Sequence, residues 1–191
     1  MHKTTLSDGW YCLEKAFLSA DQAEKYFKAL LKSCEFKSHK IKIFGKEYNT
    51  PREESFHSKS QKHYRYSGFA LHTNPYLPVL SEIEEQLTEF TKSNFNSVLI
   101  NLYRNENDSN GWHADDEKEL GQNPLIASLS LGATRRFELK HKERKEKIRL
   151  HLEHGDLLVM GGSLQHHWKH QIPKERYHCP PRINLTFRNI F

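Results

Sequence analysis

His113 and Asp115 are separated by a single residue, and further histidines follow in the run Gln165-His166-His167-Trp168-Lys169-His170-Gln171-Ile172-Pro173. On a strand, positions two apart project to the same side, so His113 and Asp115 would face one way and Ala114 the other. Two imidazoles and one carboxylate are the facial ligand set that holds Fe(II) and leaves the opposite positions open. Oxygen and a bidentate 2-oxo acid would occupy those positions. His-x-Asp alone carries little weight in a chain with 13 histidines. Strand alternation places His166 and His170 on one face and His167 on the other, so spacing leaves His166 and His170 as alternatives for the third ligand.

Weight comes from a second pattern that asks for the same ligand. Arg182-Ile183-Asn184-Leu185-Thr186-Phe187-Arg188, read as a strand, sets Arg182, Asn184, Thr186 and Arg188 on one face and Ile183, Leu185 and Phe187 on the other. An edge strand with its polar face in water would alternate in the same way, since Arg is mostly exposed. Two guanidinium groups with hydrogen-bonding side chains between them nevertheless form a rail suited to a small dicarboxylate. Following the His-x-Asp pair and the distal histidines, the rail completes a site for iron and a 2-oxo acid.

These side chains need strands to carry them. Period-two alternation predicts strands at 96–103, 124–131, 134–139, 147–153, 155–160, 166–170 and 182–189. Ile148, Leu150 and Leu152 alternate with Lys147, Arg149 and His151, giving one dry and one wet face. Before the strands, Ser19 and Gln22 form a capping box for a helix over 20–34, with an apolar stripe of Ala23, Tyr26, Phe27, Leu30 and Leu31. Asn74-Pro75 starts a second helix that buries Leu77, Leu80, Ile83, Leu87 and Phe90. Many short strands after two helices predict a mainly β (α+β) fold, a jelly roll with helices packed on its outside.

The chain has 191 residues, enough for one domain with a closed β core. No repeat, low-complexity tract or linker divides it. Its three cysteines, Cys12, Cys34 and Cys179, are odd in number and unclustered, which speaks against a disulfide framework or a cysteine metal site. No apolar h-region opens the chain and no apolar run reaches membrane-spanning length. A soluble monomer of a reducing compartment is expected, cytoplasmic, or nuclear in a eukaryote, with no membrane partner.

The net charge is +5, and from Lys37 to Arg65 there are eight basic residues against three acids, a difference that equals the whole. Phe36, Phe44, Tyr48, Phe56, Tyr64 and Tyr66 are interleaved with them. Basic charge attracts phosphate and aromatic faces stack on bases, although a solvated hairpin surface would have the same composition. A second charged run, Lys140-His141-Lys142-Glu143-Arg144-Lys145-Glu146-Lys147, alternates in sign and reads as an exposed loop between strands.

Taken in order, Asn101-Leu102-Tyr103, Trp112-His113-Ala114-Asp115-Asp116-Glu117, Pro124-Leu125-Ile126-Ala127-Ser128-Leu129-Ser130-Leu131-Gly132, Gly155-Asp156-Leu157-Leu158-Val159-Met160, Trp168-Lys169-His170 and Arg182 to Arg188 resemble the AlkB family. The likeness is greatest to the branch of the mammalian nuclear DNA-repair homologues and covers about residues 40–191. It implies a double-stranded β-helix at about 95–191, preceded at about 1–72 by a helix and a nucleotide-recognition lid. It implies Fe(II), with 2-oxoglutarate and O2 as co-substrates. His113, Asp115 and His170 would be both the metal ligands and the catalytic centre. Asn101, Tyr103, Arg182, Asn184 and Arg188 would bind 2-oxoglutarate, with Arg182 on the carboxylate distal to iron. The implied reaction is oxidative demethylation of N1-methyladenine and N3-methylcytosine in alkylated DNA, with RNA as an alternative.

A methyl group on a Watson–Crick edge is inaccessible within a stack, so the base must be flipped out. Tyr64-Arg65-Tyr66-Ser67-Gly68 resembles the family's lid, which would put Tyr66 against the flipped base and Tyr64 on the base or its phosphate. Ser67 and Arg52 are counted with them as substrate contacts. Asp116 and Glu117 are placed to meet an exocyclic amine. Ile43-Phe44-Gly45-Lys46 resembles the hairpin finger of the duplex-repair branch, with Phe44 filling the gap that the base leaves. Two other classes share parts of the pattern: a 2-oxoglutarate oxygenase acting on RNA, protein or a small molecule, and a jelly-roll binding module without catalysis.

Overall fold

The computed structural model describes residues 1–43, 46–59, 65–66, 69–70 and 72–191, with residues 41–43, 46, 65, 66, 69 and 70 described by backbone alone. In chain order the elements are β1 (Thr4–Leu6), β2 (Gly9–Glu14), α1 (Ala20–Ser33), β3 (Lys40–Ile43), β4 (Lys46–Asn49), β5 (Glu53–Ser58), β6 (Arg65–Tyr66), β7 (Phe69–Ala70) and β8 (Thr73–Asn74). Then follow α2 (Pro78–Thr91), β9 (Ser97–Tyr103), β10 (Asn110–His113), a 3-10 turn (Lys118–Leu120), β11 (Ile126–Gly132), β12 (Arg135–His141), β13 (Lys147–Leu152), β14 (Leu157–Gly161), α3 (Leu164–His167), β15 (Trp168–Ile172) and β16 (Arg182–Arg188).

Period-two alternation decides how these elements stack. An eight-stranded sheet runs β1-β2-β14-β11-β16-β9-β5-β8, and a four-stranded sheet runs β10-β15-β12-β13. On one face of the large sheet, Ile183, Leu185 and Phe187 join Ala127, Leu129, Leu131, Val98 and Ile100 beneath Ala23, Tyr26 and Leu30 of α1 and Leu80, Ile83 and Leu87 of α2. On the other face, Leu99, Tyr103, Ile126, Leu158 and Met160 meet Phe137, Leu139, Leu152, Trp168 and Ile172 of the small sheet. Two sheets face to face with helices on the outside are the expected double-stranded β-helix. β16 lies inside the large sheet between β11 and β9, buried along its whole length, so its polar face looks into the barrel and not into water.

Several boundaries differ from the alternation. β1 and β2 precede α1, β1 pairing with β2 and β2 with β14, while β5 pairs with β9, so parts of the first 72 residues belong to the large sheet. The second helix begins at Pro78, not at Asn74-Pro75. Asn74 instead donates from Nδ2 to Ser55 Oγ and to the Phe56 carbonyl, both at 3.2 Å, and the Pro75 carbonyl accepts from His57, so 73–75 is bound to β5. The Ser19 cap is half of a box. Its Oγ accepts the Gln22 N–H at 3.3 Å, but the Gln22 side chain turns to Tyr26 and Gln86. Leu31 leaves the stripe and is exposed. Gly132, at φ +88°, ends β11, and a Cβ there would stand 2.5 Å from the Pro181 carbonyl oxygen. A side chain at 132 would therefore push away the residue that leads into Arg182.

Candidate metal centre and its anion pocket

β10 and β15 are antiparallel neighbours, and His113 stands opposite His170. β10 ends at His113, so strand alternation does not aim Asp115, contrary to the sequence expectation. The segment after the strand turns Asp115 inward, and its backbone N–H is held by Gln165 Oε1 at 3.0 Å. One ligand-capable atom from each of His113, Asp115 and His170 lies within 4.8 Å of the other two. His113 Nδ1 donates to the Gly111 carbonyl at 2.7 Å, which fixes the tautomer and turns the Nε2 lone pair to the cavity. Asp115 Oδ1 is buried with no hydrogen-bond partner among the described residues. A buried unshared carboxylate oxygen beside two imidazoles fits a divalent cation such as Fe(II).

His166 is not the third member. It lies in α3, exposed, and its Nε2 accepts the Asn123 N–H at 3.3 Å. His167 joins a second acid and imidazole cluster with Asp8 and His141. There His141 Nδ1 accepts the backbone N–H groups of Glu143 and Arg144 at 3.1 and 3.0 Å, so its proton sits on Nε2 and is donated to Asp8 at 3.1 Å. Arg144 pairs with the same carboxylate at 3.4 Å. A metal on Nε2 would displace that proton to Nδ1, where two donors already point. The cluster is a clasp between the β1–β2 turn and β12, and the Trp168 indole N–H reinforces it by donating to the Ser7 carbonyl at 2.7 Å.

Electrostatics set the protonation states of the three residues that could hold the metal. Burial, then the neighbouring His113, pulls His170 down to about 3. Burial also lowers His113, against the pull of Asp115. Burial opposes the charge on Asp115, but Arg188, His170 and His113 together outweigh it and hold the carboxyl below its usual range. Arg188 Nη2 donates to Asp115 Oδ2 at 2.9 Å. The site therefore presents two neutral imidazoles and one anion, the forms that bind metal.

The cavity beside these residues is bounded by Asn101, Tyr103, Asn184 and Arg188, with Phe137, Met160 and Ile172 as its apolar wall. In register, Tyr103 faces Arg182 and Asn101 faces Asn184 across β9 and β16, which brings the two pairs together. Arg182 is fully buried and donates from Nη2 to Ser130 Oγ and Asn184 Oδ1, both at 2.9 Å. Asn184 passes the chain on to Thr186 at 2.8 Å. No carboxylate pairs with Arg182 among the described residues, and its Nε and Nη1 have no hydrogen-bond partner there. Burial draws the guanidinium down to about 10. Arg182 and Arg135 stand over the Tyr103 ring at 5.3 and 5.4 Å from its centroid.

Other expected residues fall elsewhere. Arg52 is buried, donating from Nε to Asn101 Oδ1 at 2.7 Å and pairing with Glu54. Phe56 is buried between the sheets, so part of the basic and aromatic stretch is interior. Asp116 is exposed and pairs with Lys142 at 3.3 Å, while Glu117 is half-buried and raised by burial and by Asp115. Tyr66 lies on β6, paired with β7. Phe44, Tyr64 and Ser67 lie outside the described residues. Gln165, Asn110 and Phe137, whose ring stacks on His170 at 5.4 Å, were not anticipated. Ser128 and Ser130 could have been, since they are polar positions on the inward face of an otherwise apolar strand.

Two histidines and one aspartate that could hold a metal, with the buried guanidinium groups of Arg182 and Arg188 beside them in a double-stranded β-helix, match a non-haem iron oxygenase scaffold. The profile of the 2OG-Fe(II) oxygenase superfamily matches residues 10–188. Alpha-ketoglutarate-dependent dioxygenase alkB homolog 3 of Bos taurus is 40% identical over 190 residues, covering 94% of this chain and 66% of its own. The Homo sapiens counterpart is 38% identical with the same coverage. DNA oxidative demethylase ALKBH2 of Mus musculus is 35% identical over 195 residues, covering 96% of this chain and 82% of its own. The chain belongs to the AlkB family of the 2OG-Fe(II) oxygenase superfamily, near the mammalian DNA-repair branch. It spans just under two thirds of the length of its homolog 3 relatives. The solved structure titled "The structure of OsALKBH1" shares the fold, at TM-score 0.62 and 19% identity, over 98% of this chain and all of that one. Membership implies Fe(II), 2-oxoglutarate and O2 as the reactive partners. No helix among the described residues is long and apolar enough to cross a membrane.

Proposed function

We propose that the chain is an Fe(II)- and 2-oxoglutarate-dependent dioxygenase that repairs alkylated DNA by oxidative demethylation of N1-methyladenine and N3-methylcytosine. One observation carries the co-substrate: Arg182 is a fully buried guanidinium without a carboxylate partner among the described residues. An unpaired buried charge costs several kcal/mol, and a fold keeps one where an anionic ligand will arrive. The relatives named as a DNA oxidative demethylase, together with exposed Lys37, Lys40 and Lys59 ahead of the barrel, support a nucleic-acid substrate.

When bound, iron and the 2-oxo acid supply oxygen activation: one oxygen atom ends in succinate, with loss of carbon dioxide, and the other enters the N-methyl group. The resulting hydroxymethyl group leaves as formaldehyde and restores the base. The chain's own residues prepare this step. Arg182 binds the carboxylate far from the metal, with Asn101, Tyr103 and Asn184 around it. Arg188 keeps Asp115 ionised, and His113 and His170 stay neutral as ligands. Phe137, Met160 and Ile172 keep water from the reacting face. Tyr64, Tyr66 and Ser67 form the lid over the flipped base, Asp116 and Glu117 meet its exocyclic amine, Phe44 fills the vacated stack, and Arg52 holds Asn101 beside the co-substrate.

The test is formaldehyde release from oligonucleotides carrying N1-methyladenine or N3-methylcytosine, with succinate measured in parallel. Stoichiometric formaldehyde is expected. Succinate without formaldehyde would point to another oxygenase substrate, and neither product would leave only a binding module.

A further inference from the structure

Asp115 has no strand to hold it. β10 stops at His113, yet the carboxylate two residues later must share one ion with His113 and with His170 across the sheet. A short irregular segment cannot fix a ligand to the few tenths of an ångström that coordination needs unless something grips its backbone.

We propose that Gln165 is the positioning residue for the iron site, clamping the Asp115 backbone from α3. The inference rests on the iron reading above. Gln165 is fully buried, and its Oε1 takes the Asp115 N–H at 3.0 Å. That N–H is a donor and fixes which way round the amide sits, because the reversed amide would set donor against donor. The amide nitrogen has only a soft partner, Met160 Sδ at 3.8 Å. A residue present for packing alone would carry no half-satisfied amide in a site this dry. The clamp also has a base. Lys142 Nζ donates to the Gln165 backbone carbonyl and to Asp116 Oδ2, both at 3.3 Å, tying α3 to the residue after Asp115. α3 runs directly into β15, which carries His170. One helical turn thus sets the spacing between two of the three ligands.

The experiment titrates metal-free protein with Mn(II) and with Co(II), by calorimetry and by the Co(II) ligand-field bands, in wild type, Gln165→Met and Gln165→Glu. Gln165→Met fills the same volume without the acceptor, and Gln165→Glu keeps an acceptor oxygen. The Met variant should bind metal about 10–100-fold more weakly, with altered Co(II) bands, while the metal-free protein still melts cooperatively and only a few degrees lower, the cost of one buried N–H without an acceptor. The Glu variant should stay within a few-fold of wild type. Equal affinity in wild type and Met variant overturns the proposal, and so does equal weakening in both variants or a Met variant that does not fold, either of which assigns Gln165 to packing. A wild type that binds neither metal removes the iron reading and this proposal with it.

Discussion

Arg188 and Asp115, seventy-three residues apart in sequence, meet as a buried ion pair at 2.9 Å, and the same carboxylate belongs to the His113, Asp115 and His170 group that could hold a metal ion. The same oxygen pair therefore serves charge balance and coordination. Asp115→Asn should abolish metal binding and turnover, and in the metal-free protein it should lower stability by about 3 kcal/mol, the usual loss when one partner leaves a buried pair. His113→Ala should abolish turnover equally but cost less stability, since it breaks no buried ion pair between charged side chains. Thermal melts of the two metal-free variants separate these effects, and equal melting temperatures would deny Asp115 its structural half.

Arg182→Lys tests the anion pocket. Lysine keeps the charge but loses the fork that can take a carboxylate with two parallel bonds. The 2-oxoglutarate concentration for half-maximal rate should rise at least about tenfold, equivalent to about 1.4 kcal/mol. An unchanged requirement would leave Arg182 as a partner of Ser130 and Asn184 alone.

Arg52→Lys separates two roles for that residue. Its Nε bond holds Asn101, which lines the cavity, while its terminal nitrogen pairs with Glu54. Lysine can keep the second and not the first. Several-fold weaker 2-oxoglutarate use with unchanged oligonucleotide affinity is expected if Asn101 is the route. The opposite pattern would place Arg52 on the nucleic acid.

Acid should destabilise the metal-free protein early. Above pH 6.5 His170 is neutral folded or unfolded and adds no pH dependence. Between 6.5 and about 3 the unfolded chain takes a proton that folded His170 refuses, so stability falls with pH. The limiting slope is about 1.4 kcal/mol per pH unit for one histidine. His113 acts in the same direction, and Asp115, with its lowered pKa, adds further loss only below the usual carboxylate range. Urea midpoints from pH 7 to 4.5 should drop in wild type and drop less steeply in His170→Asn, where His113 still contributes; equal slopes in the two proteins would mean that His170 is not buried in its neutral form.

Phe44→Ala should reduce formaldehyde release from a methylated duplex much more than from a methylated single strand, because only the duplex leaves a gap to fill. Equal losses with a lower melting temperature would make Phe44 a packing residue.

Much of this was legible in the residues. Arg182, Asn184, Thr186 and Arg188 do share one face, because β16 is long, regular and paired on both sides, where alternation is most dependable. Asp115 was placed on a strand because His-x-Asp obeys the same period; the strand ends early, and a glutamine far along the chain does the aiming. The same limit left His166 level with His170, since the four residues before Trp168 coil into a turn of helix. β1 and β2 escaped because both are short and the strand that joins them to the sheet, β14, is distant in sequence from its partner β2. Local pattern reads periodicity well and non-local pairing poorly.

β16 is the last strand in sequence and sits in the middle of its sheet, between β9 and β11. During synthesis, β9 and β11 leave the ribosome long before the strand that must separate them. Until it arrives they have either open edges or the temptation to pair with each other, and the three would-be metal ligands face an unroofed half-barrel. Commitment to the native sheet therefore waits until β16 itself has been made. That order favours slow folding, dependence on holdase chaperones, and iron capture only after synthesis of the sheet is finished.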